Sequence, residues 1–139
     1  MNAANLRYWI PTALFALALT GSGLMGLTSP PEFVAELGRL GFPDWFGRWL
    51  GAAKLVGVAV LLAPGLGLLK EWATAGFVIT LCSAFVAHLA AGDAVQQAIA
   101  PVVLLGLLMA SWHGRPAARR LGRRTDLLAE GSGPAMSAA

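Results

Sequence analysis

The chain of 139 residues is short of charge and of cysteine, and each shortage excludes a class of protein. Charged residues make up 12% of it, about half the share of a typical soluble domain. A domain this small leaves much of its surface facing its surroundings. With 57% hydrophobic residues and a mean hydropathy of +0.67, those surroundings are not water. An ordinary soluble enzyme and a disordered chain are thereby excluded. The lone cysteine, Cys82, cannot close an internal disulfide, so a disulfide-framed secreted module is excluded too. Nor can it run a paired-thiol redox mechanism. Phosphate-loop, nucleophile-elbow and zinc-ligand spacings are missing. The two histidines, His88 and His113, fall toward opposite membrane faces, so no metal site and no bis-histidine haem is expected. Strand alternation is also missing, which removes the β-barrel.

What remains is four apolar stretches, at about residues 9–27, 49–69, 72–91 and 94–111. The first holds nineteen residues without a charge. As a helix it covers about 28 Å, close to the roughly 30 Å hydrocarbon core of a bilayer. Backbone polar groups in lipid must pair within the segment, so all four are expected to be helices. The tryptophans agree: Trp9, Trp45, Trp49, Trp72 and Trp112, with Tyr8, fall at or just outside segment ends, the headgroup level that indoles prefer. The predicted fold is an all-α membrane protein, a four-transmembrane-helix bundle. The first stretch, with Arg7 as a basic flank, reads as a permanent span or as a signal peptide; its length and the lack of an Ala-x-Ala site favour the span.

Charge sets the expected orientation. Of ten Lys and Arg, seven (Arg7, Lys70, Arg115, Arg119, Arg120, Arg123 and Arg124) lie on the side of the termini. The positive-inside rule then puts both termini in the cytoplasm. The five arginines from Arg115 to Arg124 suit anionic lipid rather than nucleic acid, since no stacking aromatics interleave with them. The segment 114–139 reads as a basic stretch followed by a disordered end rich in Ser, Gly, Ala and Pro. In the first outer loop, Pro30-Pro31 stops one helix, and Phe33, Leu37 and Leu40 recur at helical spacing. This predicts a short amphipathic helix on the membrane surface, either a connector or a lid.

Small residues give each span a packing seam: Ala16, Thr20 and Gly23; Gly47, Gly51, Ala53 and Gly57; Thr80 and Ala84; Gly106 and Ala110. Polar residues inside the spans are the candidates for chemistry. Lys54 lies in the second span, where an unpaired charge costs about 2.5–3.5 kcal/mol by insertion scales. Counting depth along each span gathers Lys54, His88, Ser22, Gln96 and Gln97 into one outer layer, with Asp93 just above. One reading is an outward polar pocket. Lys54, His88 and Asp93 are then its catalytic cation, acid-base and orienting group, and Ser22, Gln96 and Gln97 contact substrate. In that reading Asp93 is the expected acceptor for Lys54. The other reading is structural, with Lys54 snorkelling outward and Asp93 ending a helix. Lys70-Glu71-Trp72 reads as an interfacial cap on the third helix.

Several short motifs carry a resemblance. Tyr-Trp-Ile-Pro-Thr-Ala-Leu at Tyr8 to Leu14, Gly-Ser-Gly-Leu-Met at Gly21 to Met25 and Pro-Pro-Glu at Pro30 to Glu32 come first. Leu-Gly-Phe-Pro at Leu40 to Pro43 and Gly-Ala-Ala-Lys-Leu-Val-Gly at Gly51 to Gly57 follow. Leu-Lys-Glu-Trp-Ala-Thr-Ala-Gly-Phe at Leu69 to Phe77 and His-Leu-Ala-Ala-Gly-Asp at His88 to Asp93 complete the set. In this order they resemble the DoxX-like family of small bacterial integral membrane proteins, over about Arg7 to His113. The resemblance implies a four-span bundle and places Lys54, Glu71, His88 and Asp93 within matching motifs. The wider group is named for a membrane subunit associated with thiosulfate:quinone oxidoreduction. The resemblance therefore implies an auxiliary or quinone-linked redox subunit or a partner-binding scaffold in a bacterial inner membrane. No cofactor is evident from the residues, and quinone is the one the resemblance admits. The expected partners are the lipid bilayer, a membrane or redox protein, or a second copy of the chain. A small membrane enzyme acting on a lipid-soluble substrate is the alternative.

Overall fold

A computed structural model of the chain describes residues 3–116, and side chains from residue 5 onward. Five helices follow one another: α1 (Ala3–Thr28), α2 (Pro31–Arg39), α3 (Asp44–Leu62), α4 (Gly67–Ala90) and α5 (Val95–His113). No strand occurs among the described residues. Within α1, α3, α4 and α5 lie the four segments long and apolar enough to cross a membrane, Asn5–Thr28, Asp44–Leu62, Gly67–Ala90 and Val95–His113. The expected tail beyond residue 116 lies outside the described residues.

Local chemistry sets the boundaries. Pro31 opens α2 at a position where its missing N–H costs nothing. Pro43 precedes α3, and Asp44 in its first turn complements the helix dipole. The third and fourth helices meet differently from the sequence expectation. The break falls at residues 63–66, where Pro64 cannot continue α3 and Gly65 adopts φ +75°. Lys70, Glu71 and Trp72 therefore sit inside α4 rather than before it. α3 also begins five residues before Trp49, at Asp44, because no breaker lies between Pro43 and the apolar run.

The four spans form a ring. α1 packs on α3 and α5, and α4 also packs on α3 and α5. Phe15, Leu19, Val58, Leu61, Phe77, Leu81 and Leu108 fill the centre, with Phe15 and Phe77 edge to face at 5.2 Å. The outside is apolar: Leu17 is 74% exposed and Ile79 67%. Hydrophobicity alone cannot hold helices together in lipid, so close packing must. At the α1–α3 contact a Cβ on Gly51 would lie 2.6 Å from the Gly23 carbonyl oxygen, and one on Gly26 2.7 Å from that of Gly47. Only hydrogen fits at either place. α2 lies across the same end, with Leu37 buried. Leu37 and Phe33 press on Gly47, where a Cβ would meet them at 2.5 and 2.9 Å.

Candidate functional site

The polar residues that the sequence groups in one layer occupy two places. Lys54 is ten residues from the start of α3, about 15 Å along a helix of about 28 Å. His88 is two residues from the end of α4, about 3 Å from it. Lys54 borders a groove with Thr80, and eight residues separate Thr80 from His88, about 12 Å of helix. The depth count failed because it started the second span at Trp49. The five added residues put Lys54 near the middle of α3, while His88 stays near the end of α4.

At mid-depth, the Lys54 ammonium donates to Ser22 Oγ at 2.8 Å. The close approach of Gly23 to Gly51 brings α1 near enough for this bond. Ser22 thus joins Lys54 as the sequence suggests, whereas Asp93 does not. The ion pairs among the described residues join Arg39 to Glu36, Arg39 to Asp93, His88 to Asp93 and Arg115 to Glu71; Lys54 is in none. It does not snorkel to the interface either, since its ammonium stops at Ser22. Beside it, α3 and α4 part to leave a groove of about 210 Å³ lined by Trp49, Ala53, Gly76, Phe77 and Thr80. Ala53 and Gly76 are exposed on the outer surface of the bundle, so the groove opens sideways toward lipid. Pockets that enclose a drug-sized molecule hold roughly 300–1,000 Å³. This groove is smaller than that.

At the rim away from the termini, Asp93 follows Gly92, whose φ of +71° makes the turn between α4 and α5. Its carboxylate accepts from His88 Nδ1 at 2.5 Å and from Arg39 Nη2 at 2.9 Å, and also pairs with Arg39 Nη1. Arg39 reaches back to Glu36 as well, with Nε 3.0 Å from one carboxylate oxygen. A carboxylate can only accept, so the proton of this bond sits on His88 Nδ1. The Arg39 guanidinium, then His88, hold the Asp93 carboxyl down to about 2. The hydrogen bonds of Arg39 also lower Glu36, and Asp93 and Glu36 in turn raise Arg39. The ligand atoms of Glu36, His88 and Asp93 lie within 4.8 Å of one another. Arg39 already supplies the positive charge there, so the group works as a clasp that ties α2 to the α4–α5 turn. Gln96 and Gln97 are exposed at the start of α5. Their side chains join neither group: the turn that carries Asp93 inward leaves them on the outside.

The end that carries the termini holds a network of which the sequence showed only a part. Lys70 is 1% exposed and donates to the carbonyls of Val60 at 2.9 Å, Leu61 at 2.8 Å and Ala63. These are carbonyls at the C-terminal end of α3, which have no partners within their own helix. Arg115 pairs with Glu71 and donates to Thr74 Oγ1 at 2.9 Å, and Trp112 Nε1 donates to Glu71 at 3.0 Å. Thr12 and Ser111 share a 2.6 Å bond between the first and last spans. Lys70 and Glu71 were visible as a cap in the sequence; no sequence signal links Thr12 to Ser111.

The fold and its polar groups define a small four-span integral membrane protein with a polar clasp at each end and one cation at mid-depth. The sequence profile of the DoxX-like family matches residues 10–111. The chain belongs to the DoxX-like family, as its motifs suggest. No curated protein and no solved structure matches it.

Proposed function

We propose that the protein is an auxiliary, quinone-linked subunit of a membrane redox system in a bacterial cytoplasmic membrane, with both termini in the cytoplasm. The observation that carries this reading is Lys54, a cation in the middle of a span with a single hydrogen-bond partner beside a lipid-facing groove. A quinone ring has apolar faces, which suit Trp49 and Phe77, and edge carbonyls, which suit an ammonium donor. The groove is large enough for the ring and leaves an isoprenoid tail in lipid. The quinone, when bound, supplies the electron-carrying chemistry. The chain's own residues hold and orient it: Lys54 by its ammonium, Ser22 by fixing Lys54, and Phe77 by closing the floor.

A photoreactive quinone analogue in vesicles tests this. Crosslinks should map to the stretches around Trp49–Lys54 and Gly76–Thr80. Label spread evenly over the lipid-facing helices overturns the reading. Orientation rests on the seven basic residues of the terminal side. Cysteine labelling of the tail from outside overturns that part.

A second reading, a small membrane enzyme acting on a lipid-soluble substrate, is favoured by the His88–Asp93 bond. Asp93 holds the ring through Nδ1, which leaves Nε2 for acid-base chemistry. In a deletion strain, failure of His88→Phe to restore function while Lys54→Met restores it moves the assignment to this reading.

A further inference from the structure

We infer that Lys54 makes the α3–α4 groove selective for acceptor-only head groups. The preferred ligand is an apolar molecule whose polar end carries carbonyl or carboxylate oxygen and no proton of its own to donate. The inference rests on the groove being the binding site, as proposed above.

The argument is a count of donors and acceptors. An ammonium has three N–H donors and no lone pair. The bond to Ser22 uses one of them. The indole of Trp49 is also donor-only. The Thr80 hydroxyl gives its proton to the Gly76 carbonyl at 2.8 Å, so its oxygen is the sole side-chain acceptor the lining offers. The rest of the lining is carbon. Water in the bilayer core does not make up the difference. A carbonyl or carboxylate oxygen entering the groove gains a charge-assisted hydrogen bond and leaves nothing of its own unpaired. A hydroxyl head can also accept from Lys54, but its own proton then competes for the one Thr80 oxygen or stays unpaired. Leaving such a group unpaired in an apolar setting is the expensive case. Lys70 provides the internal contrast: its donors meet three backbone carbonyls.

Two sources share this chemistry, an oxidised quinone and a single-chain carboxylate. Two matched pairs separate them: a short-tailed benzoquinone against its hydroquinone, and decanoate against decanol. Calorimetric titration of the full chain in detergent micelles reads each affinity. The acceptor-headed member of at least one pair should bind about tenfold or more tightly than its partner. In Lys54→Met the preference should shrink to within about twofold, while a thermal melt confirms that the variant is folded. Ser22→Ala, which unties the ammonium, should weaken both members of a pair alike and leave the acceptor-headed member the tighter one. Equal affinities within both pairs, or a preference that survives Lys54→Met, overturn the selectivity and leave the groove as a binding site. Failure of all four molecules to bind the unsubstituted chain overturns the groove reading itself, and this inference with it. Discrimination within the carboxylate pair alone, without quinone binding, upholds the inference and removes quinone as the ligand.

Discussion

Lys70 and Lys54 both lie in membrane-spanning helices, and their surroundings are opposite. Lys70 is sealed under the turn between α3 and α4 and donates to three carbonyls. Lys54 meets one hydroxyl and borders an open groove. The difference comes from where each stands relative to a helix end. The last turn of a helix leaves carbonyls without intrahelical partners, and Lys70 reaches those of α3. In mid-helix every carbonyl already has its own N–H, so Lys54 finds only side chains. A buried cation near a helix terminus is a brace, and one far from any terminus is available to something else.

The largest expected effect is on the brace. Lys70→Met leaves three carbonyls unpaired under the α3–α4 turn and should cost on the order of 3 kcal/mol, read by denaturant or thermal unfolding in micelles. A loss no larger than that of Lys54→Met would erase the contrast between the two lysines.

Next comes the packing that positions Lys54. Gly51→Val puts carbon against the Gly23 carbonyl, where even a Cβ would stand at 2.6 Å. We expect a loss of about 1–3 kcal/mol and a weaker hold on any groove ligand, because α1 moves away with Ser22. Gly21 has open space where its Cβ would be, so Gly21→Ala is the matched control and should be near neutral.

The clasp at the rim away from the termini sharpens the comparison through pH. The folded carboxyl of Asp93 titrates at about 2, below its ordinary 3.8. A lowered folded value means that its contribution is full above the ordinary value and fades as pH falls toward about 2. Glu36 shifts in the same direction. Protease cleavage or cysteine labelling of α2 should therefore be flat from neutral pH to about 4 and rise below it. Asp93→Asn should make α2 accessible already at neutral pH and remove the acid step. An unchanged acid step in that variant would assign it to other carboxylates.

The smallest effect is the most telling. Lys54→Met gives up one charge-assisted bond, about 1.5–3 kcal/mol, and relieves a membrane-buried charge that costs a similar 2.5–3.5 kcal/mol. These nearly cancel, so the melting temperature should hardly move while ligand selectivity is lost. A large destabilisation would make Lys54 a second brace and end the distinction.

The fold was legible because its physics is written along the chain. Nineteen uncharged residues, a proline pair and terminal tryptophans are each local signals. The helix break at residues 63–66 was also written in Pro64 and Gly65, though the apolar residues around it masked how sharply it ends α3. Site geometry was less legible, because depth was counted from tryptophans and not from helix starts. Five residues of error moved Lys54 by about 8 Å, enough to separate it from His88. The partner of Asp93 was hidden for another reason. Arg39 is 54 positions away, on a helix whose docking depends on Leu37 finding the bare backbone of Gly47.

The bond between Thr12 and Ser111 has a consequence for how the bundle is put together. It joins residues 99 positions apart and closes a ring in which α1 packs on α3 in the front half of the chain and α4 on α5 in the back half. Each half contributes a helical hairpin, and the seam between them is stitched at both ends, by Thr12 and Ser111 near the termini and by Arg39 and Asp93 at the opposite rim. If the peptide bond after Pro64 were opened and the two fragments coexpressed, they would be expected to find each other in the membrane, held by Lys70 on one side and by Thr12 and Ser111 on the other.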